Sequence, residues 1–289
     1  MSWSRKKKAL VVILSLLVVI FVVSLVAALA GRPSGDRIAV VEIEGVITGS
    51  KDAMDDIIRF KEDPTIKGVI LRINSPGGSV APTQEIYREV EKLKEKKKVY
   101  VSMGTTCASG GYYIASAANK LYANPSTITG SIGVIMHLMI VEDVMKKIGL
   151  QSNTIKAGEF KDTGTPFRQM TPAEREYLDG IIRSIYDQFM KDIAVGRKMD
   201  PEKVRRLAEG KIYTGTQAKD VGLIDAIGDF YDTVDALKAD LKIKGKPVLV
   251  YAEKPFTFSK WLFSSLSKEI TNEIFSSPFK FLAAPLPVR

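Results

Sequence analysis

Residues 68–79 read GVILRINSPGGS. Val69-Ile70-Leu71, continued by Ile73, is an apolar run of the kind found in strands buried on both faces. Ser75-Pro76-Gly77-Gly78-Ser79 breaks the run, and the residues from there to about Lys96 read as a helix. A buried strand passing through a tight turn into a helix is half of a βαβ unit, and such units imply a parallel sheet. The alternation continues outward. Upstream, Ile38 to Val41 with Val46-Ile47 is β-rich, and Ala53 to Lys61 reads as a helix ending before Pro64. Downstream, Val99 to Met103 is the next strand, and a helix follows Ser109 to about Ala118. Short strands are expected at Lys120–Ala123, Ile132–Ile135, Ser152–Lys156 and Val248–Tyr251. Helices are expected at Thr171 to about Lys198, Pro201–Glu209, Thr216–Val221 and Asp229–Leu241. The fold class is α/β with a largely parallel sheet.

The chain has 289 residues, 45% hydrophobic and 26% charged, enough for a substantial core. Its formal charge is +9, with much of the excess in runs such as Arg5-Lys6-Lys7-Lys8 and Lys94 to Lys98. These read as solvated faces, and no aromatic-interleaved basic motif points to nucleic acid. Cys107 is the only cysteine, which excludes an intramolecular disulfide and a cysteine-based metal cluster. Residues 9–30 are uncharged and almost wholly apolar. At ~1.5 Å per residue such a helix spans the ~30 Å hydrocarbon core of a bilayer. The basic stub 1–8 should remain cytoplasmic, which puts the rest of the chain outside the cytoplasm. Ala28-Leu29-Ala30 also resembles a signal-peptidase site, but the run is longer than the ~7–15 residues of a signal core. Either way the domain is exported. Residues 31–37 form a linker, 38–251 the folded domain and 252–289 an apolar C-terminal segment. That last segment spaces Phe256, Trp261, Phe263, Leu266, Ile270 and Ile274 helically among charges. It is suited to docking on the protomer or a neighbour, or to lying on a membrane surface.

Two turns carry candidate chemistry. Asn74-Ser75-Pro76-Gly77-Gly78 lies between a strand and a helix, where backbone N–H groups and the helix N-terminus can hold a developing oxyanion. Thr106-Cys107-Ala108-Ser109-Gly110-Gly111 repeats the arrangement one unit later, with Ser109 at the start of its helix and the Gly110 N–H beside it. A serine nucleophile needs a base. His137, the only histidine, sits in an apolar run. A lysine base must be neutral, which burial or nearby positive charge favours. Most lysines lie on charged helical faces, whereas Lys161 lies in a glycine-flanked loop, Lys156 to Gly164.

The segments INSPGGS, CASGGYYIASAA, NPSTITGSIGVI and GEFKDTGTPFRQMTPAE occur in this order. Together they resemble the signal peptide peptidase A family in its short, single-copy form. These are membrane-bound serine peptidases whose repeated ββα fold is related to the Clp protease subunit and to crotonases. The resemblance covers about Ile38 to Leu241. It implies Ser109 as nucleophile, Lys161 as general base, Ser131 as a hydroxyl orienting the lysine, and Gly77, Gly78 and Gly110 as the oxyanion region. It implies no metal or cofactor. The substrates it implies are apolar peptides left after signal-peptide cleavage. Tandem members of the family suggest a ring of single-copy chains in which Ser109 and Lys161 of different copies meet. Cys107 stands where the family usually has a small residue such as alanine, so a Cys107–His137 peptidase is one rival. An acyl-CoA enzyme with crotonase-like oxyanion turns and a non-catalytic membrane scaffold are the others.

Overall fold

The computed structural model describes residues 14–24 and 35–252. Residues 14–24 form helix α1, with its apolar side chains exposed. Among the described residues no helix is long and apolar enough to cross a membrane. The remainder of the expected anchor, the basic stub, most of the linker and the C-terminal segment beyond residue 252 lie outside the described residues.

Strand β1 (Arg37–Glu44) pairs in parallel with β2 (Ile66–Ser75), in the register Val40↔Ile70 and Val41↔Leu71. In turn β2 pairs in parallel with β3 (Lys98–Ala108), in the register Ile70↔Tyr100 and Leu71↔Val101. All of these residues are at most 1% exposed, which is why the apolar runs are continuous rather than alternating. Helix α2 (Lys51–Glu62) links β1 to β2, α3 (Val80–Lys96) links β2 to β3, and the short α4 (Gly110–Ser116) follows β3. Strand order advances in one direction through β1, β2 and β3, so right-handed crossovers put these helices on one face.

The eleven-residue β3 is shared between two neighbours. Its first half pairs with β4 (Lys120–Ala123) and its last residues pair with β5 (Ile128–Gly130), both in parallel. Beyond β5 lies β6 (Ile212–Thr214), the antiparallel member, and beyond β4 lies β7 (Ala226–Ile227). Helices α6 (Pro172–Arg197), α7 (Pro201–Leu207) and α8 (Gly215–Val221) come before β7 in the chain, and the six-residue α5 (Glu142–Lys147) precedes α6. The chain then returns through α9 (Phe230–Asp240) to β8 (Val248–Tyr251), which pairs in parallel with β1. This crossover runs in the reverse direction, and α9 covers the sheet face carrying Ile38, Ile70 and Tyr100 with Val234 and Leu237.

Two expected strands do not form. Residues 132–135 and 152–156 are irregular. Ile132 is buried, but Ile135 is 78% and Ile155 97% exposed, and no strand among the described residues flanks them. Their apolar character signalled a sheet position that the described residues do not supply. The ordered pieces are instead β5 just upstream and α5 between the two segments, together with β6 and β7 further on.

Candidate active site

The carboxyl ends of β2, β3 and β5 meet at one edge of the sheet, where open α/β folds bind ligands. Ser109 is the residue between β3 and α4, with φ 51° and ψ −120°. A side-chain-bearing residue holds that conformation only when its surroundings enforce it. Here its N–H donates to Gly130 O at 2.8 Å and its carbonyl accepts from Tyr113 N at 2.8 Å. Helix α4 behind it is buried along its whole length. Strand–turn–helix geometry of this kind lifts a serine hydroxyl clear of the backbone. Ser109 is half-buried and lines a cleft of about 120 Å³. The apolar walls of the cleft come from Val80, Tyr113, Ile135, Ile185 and Phe189, with Thr83 and Gln84 as polar side chains beside Ser109.

Two backbone N–H groups border the same cleft. Gly110 is the first residue of α4, so its N–H has no intrahelical acceptor. Gly78 forms a bridge with Ile47, in which Ile47 N donates to Gly77 O (2.9 Å) and Ser79 N to Ile47 O (2.8 Å). The residue between those two bonds turns its own N–H away from Ile47. A Cβ on Gly78 would lie 2.1 Å from Ile47 O, so only glycine fits. Gly77 differs from its neighbour. Its N–H donates to Ser75 Oγ at 3.1 Å, and at φ +101° it brings its Cα against Ser109 and Gly110. A Cβ there would meet Gly110 N at 2.7 Å. Gly77 therefore acts by its lack of bulk.

Ser131 stands next to this turn. Ala108 and Gly130 are the last paired residues of β3 and β5, so Ser109 and Ser131 leave adjacent strands side by side. Both have positive φ, 51° and 50°. Ser131 N donates to Lys211 O at 2.7 Å.

Lys161 is not brought to the cleft. It is exposed, within a self-folded excursion of residues 134–171. The two limbs of the excursion are joined by Val141 N to Pro166 O (2.7 Å) and Gln169 N to a Glu142 carboxylate oxygen (3.1 Å). Beside Lys161 lies a charged network. Lys156 pairs with Asp162, Arg168 reaches Asp162 at 2.9 Å, and Arg168 Nη1 donates to Glu174 at 2.8 Å. Thr171 and Glu174 complete a capping box at the start of α6. The Arg168 guanidinium, helped by the Thr171 amide, holds the Glu174 carboxyl at about 2. Lys156 and Arg168 likewise hold Asp162 below the usual carboxylate range.

His137 lies on the outgoing limb, exposed and outside the cleft lining. Cys107 is fully buried, and burial pushes its thiol well up, which removes it as a nucleophile. Among the described residues no cluster of His, Cys, Asp or Glu has a metal-binding arrangement. Ile185 and Phe189 went unread as cleft residues because on α6 they follow the ordinary spacing of a core-facing helix stripe.

Comparison with known proteins bears on the same region. Residues 91–244 match Peptidase family S49, and residues 38–129 match the Clp protease family. A protein of Enterococcus faecium named "Putative signal peptide peptidase SppA" is 33% identical, with 81% of this chain and 73% of that protein covered. Protease 4 of Salmonella typhi is 34% identical over 77% of this chain and 37% of its own length. The chloroplastic serine protease SPPA of Arabidopsis thaliana is 31% identical over 81% and 37%. The matched spans include both glycine turns, Ser131 and the 134–171 excursion. The chain belongs to peptidase family S49, and it is a serine peptidase.

Proposed function

We propose that this peptidase uses Ser109 as nucleophile and Lys161 as general base, and that it cleaves apolar peptides such as signal-peptide remnants beside a membrane. The observation that carries the reading is Ser109 itself, held at φ 51° on a strand–helix turn between two N–H groups at the mouth of an apolar cleft. In the reaction Ser109 Oγ attacks the scissile carbonyl carbon while its proton passes to a neutral Lys161 Nζ. The carbonyl oxygen becomes an oxyanion and accepts hydrogen bonds from Gly78 and Gly110. Collapse expels the amine, which takes the proton from Lys161, and leaves an ester on Ser109. Water, deprotonated by the same lysine, attacks that ester, and the second collapse releases the acid and restores the hydroxyl. Ser131, beside Ser109, serves to orient the lysine. Val80, Ile135 and Phe189 favour small or apolar side chains next to the scissile bond.

Residues 9–30 anchor the chain in the cell membrane, with the peptidase domain at 38–251 on the extracytoplasmic side. That location fits a substrate produced in the bilayer. The exposure of Lys161, outside the lining of its own chain's cleft, supports a ring in which one copy's Lys161 serves its neighbour's Ser109. The excursion's exposed Met139, Val144, Ile148 and Leu150 supply apolar area for that contact. A serine-directed fluorophosphonate probe tests the nucleophile. The intact protein is expected to label at Ser109 and Ser109→Ala not to label. Labelling that survives in Ser109→Ala would sink the assignment, and an unlabelled native chain would point to a scaffold or an acyl-CoA enzyme.

A further inference from the structure

We infer that the end of the domain opposite the cleft rests on an anionic phospholipid surface. Because β1 to β4 are parallel, their first residues lie at one end, and these include Arg37, Lys67, Lys98 and Lys120. The turn before β8 brings Lys244 and Lys246 to the same end, since β8 pairs with β1 from Val248↔Arg37. Lys67, Lys98, Lys120, Lys244 and Lys246 are all exposed. Three of the acidic groups nearby are already engaged. Glu62 pairs with Lys96 at 2.9 Å, Asp240 lies 3.5 Å from Lys98, and Asp63 accepts from Thr65. The side chains of Lys67, Lys244 and Lys246 make no hydrogen bond or ion pair among the described residues, so these three charges have no direct partner. Helix macrodipoles account for lysines such as Lys94 and Lys96 in the last turn of α3. They do not account for lysines at the starts of strands or in the β8 turn.

The position of this charge relative to the chain's path identifies the partner. Arg37 opens β1 and is also where the linker from the 9–30 segment arrives. The six linker residues ahead of Arg37, 31–36, reach about 20 Å at ~3.5 Å per residue, so the anchor holds this end, and not the cleft end, against the bilayer. Within a Debye length of about 8 Å, such a group of lysines is drawn to anionic headgroups. The inference rests on the membrane-anchor reading above.

The full chain, reconstituted in nanodiscs of phosphatidylcholine alone or with about a third phosphatidylglycerol, tests it by hydrogen exchange. Backbone amides of residues 62–67 and 242–247 are expected to exchange at least about threefold more slowly in the anionic discs. Protection is expected to vanish at high salt and in the variant Lys67→Glu/Lys244→Glu/Lys246→Glu, whose three side chains are solvent-exposed. Equal exchange in both lipids, with the chain resistant to carbonate extraction, overturns the docking inference and leaves the anchor standing. A chain extracted by carbonate from both discs overturns the anchor, and the docking inference falls with it. Protection given by added RNA but not by phosphatidylglycerol assigns the surface to another polyanion and also overturns the inference.

Discussion

Ser109 is strained, and the strain is local enough to measure. A residue with a Cβ at φ 51° and ψ −120° carries a penalty that glycine largely escapes. Ser109→Gly is therefore expected to be more stable than Ser109→Ala by roughly 1 kcal/mol, with both inactive. Urea midpoints compare the two directly, and a glycine variant no more stable than alanine would mean that the turn is relaxed. The turn was legible in the sequence because its chemistry is local. Small residues on both sides of a lone hydroxyl, between an apolar run and a helix, leave few other conformations. Gly78 and Gly110 were legible for the same reason. The separate part played by Gly77 was not, because the Ser75 hydroxyl bond and the close approach to Gly110 depend on how two turns pack.

Among the elements, the excursion from 134 to 171 is the piece whose stability responds most directly to acid. Its tie to α6 runs through Arg168, Asp162 and Glu174. The folded-state carboxyl of Glu174 lies at about 2 against an ordinary 4.5, and Asp162 is shifted in the same direction. Depressed carboxylates stabilise the fold fully above their ordinary values and lose that contribution as pH falls through the depressed ones. Amides of residues 156–171 are therefore expected to lose exchange protection between pH 4.5 and about 2, before the sheet does. Glu174→Gln keeps the cap but not the charge, and should remove most of that pH dependence. Arg168→Ala should lower kcat by loosening the Lys161 loop while leaving probe labelling of Ser109 intact. Loss of labelling in that variant would show that Arg168 supports the cleft itself. Sequence periodicity found the sheet and its crossover helices, because each apolar run is buried by neighbours within the chain. It failed at 132–135 and 152–156, where Ile135 and Ile155 are left exposed and no strand among the described residues flanks them.

That failure carries into the whole molecule. Ile135, Met139, Ile148 and Ile155 stay exposed on the same excursion as Lys161, while Ser109 sits in a cleft that Lys161 does not line. An exposed apolar surface of this kind is normally covered by a partner. A second copy covers it most economically when the contact repeats head to tail and closes into a ring. In the proposed ring each interface would assemble one dyad, with the serine from one side and the lysine from the other. Ser109→Ala and Lys161→Ala proteins are each expected to be inactive alone. Co-expressed in equal amounts and randomly assembled, they place an intact Ser109 against an intact Lys161 at about a quarter of the interfaces. Peptide hydrolysis should therefore recover to about a quarter of the native rate, and fluorophosphonate should label only the Lys161→Ala chain. Mixed rings that form, as shown by co-purification of differently tagged copies, and yet stay inactive would show that each chain builds its dyad alone. In that case the excursion must fold back over the cleft, carrying Lys161 from its exposed position to the hydroxyl of its own Ser109.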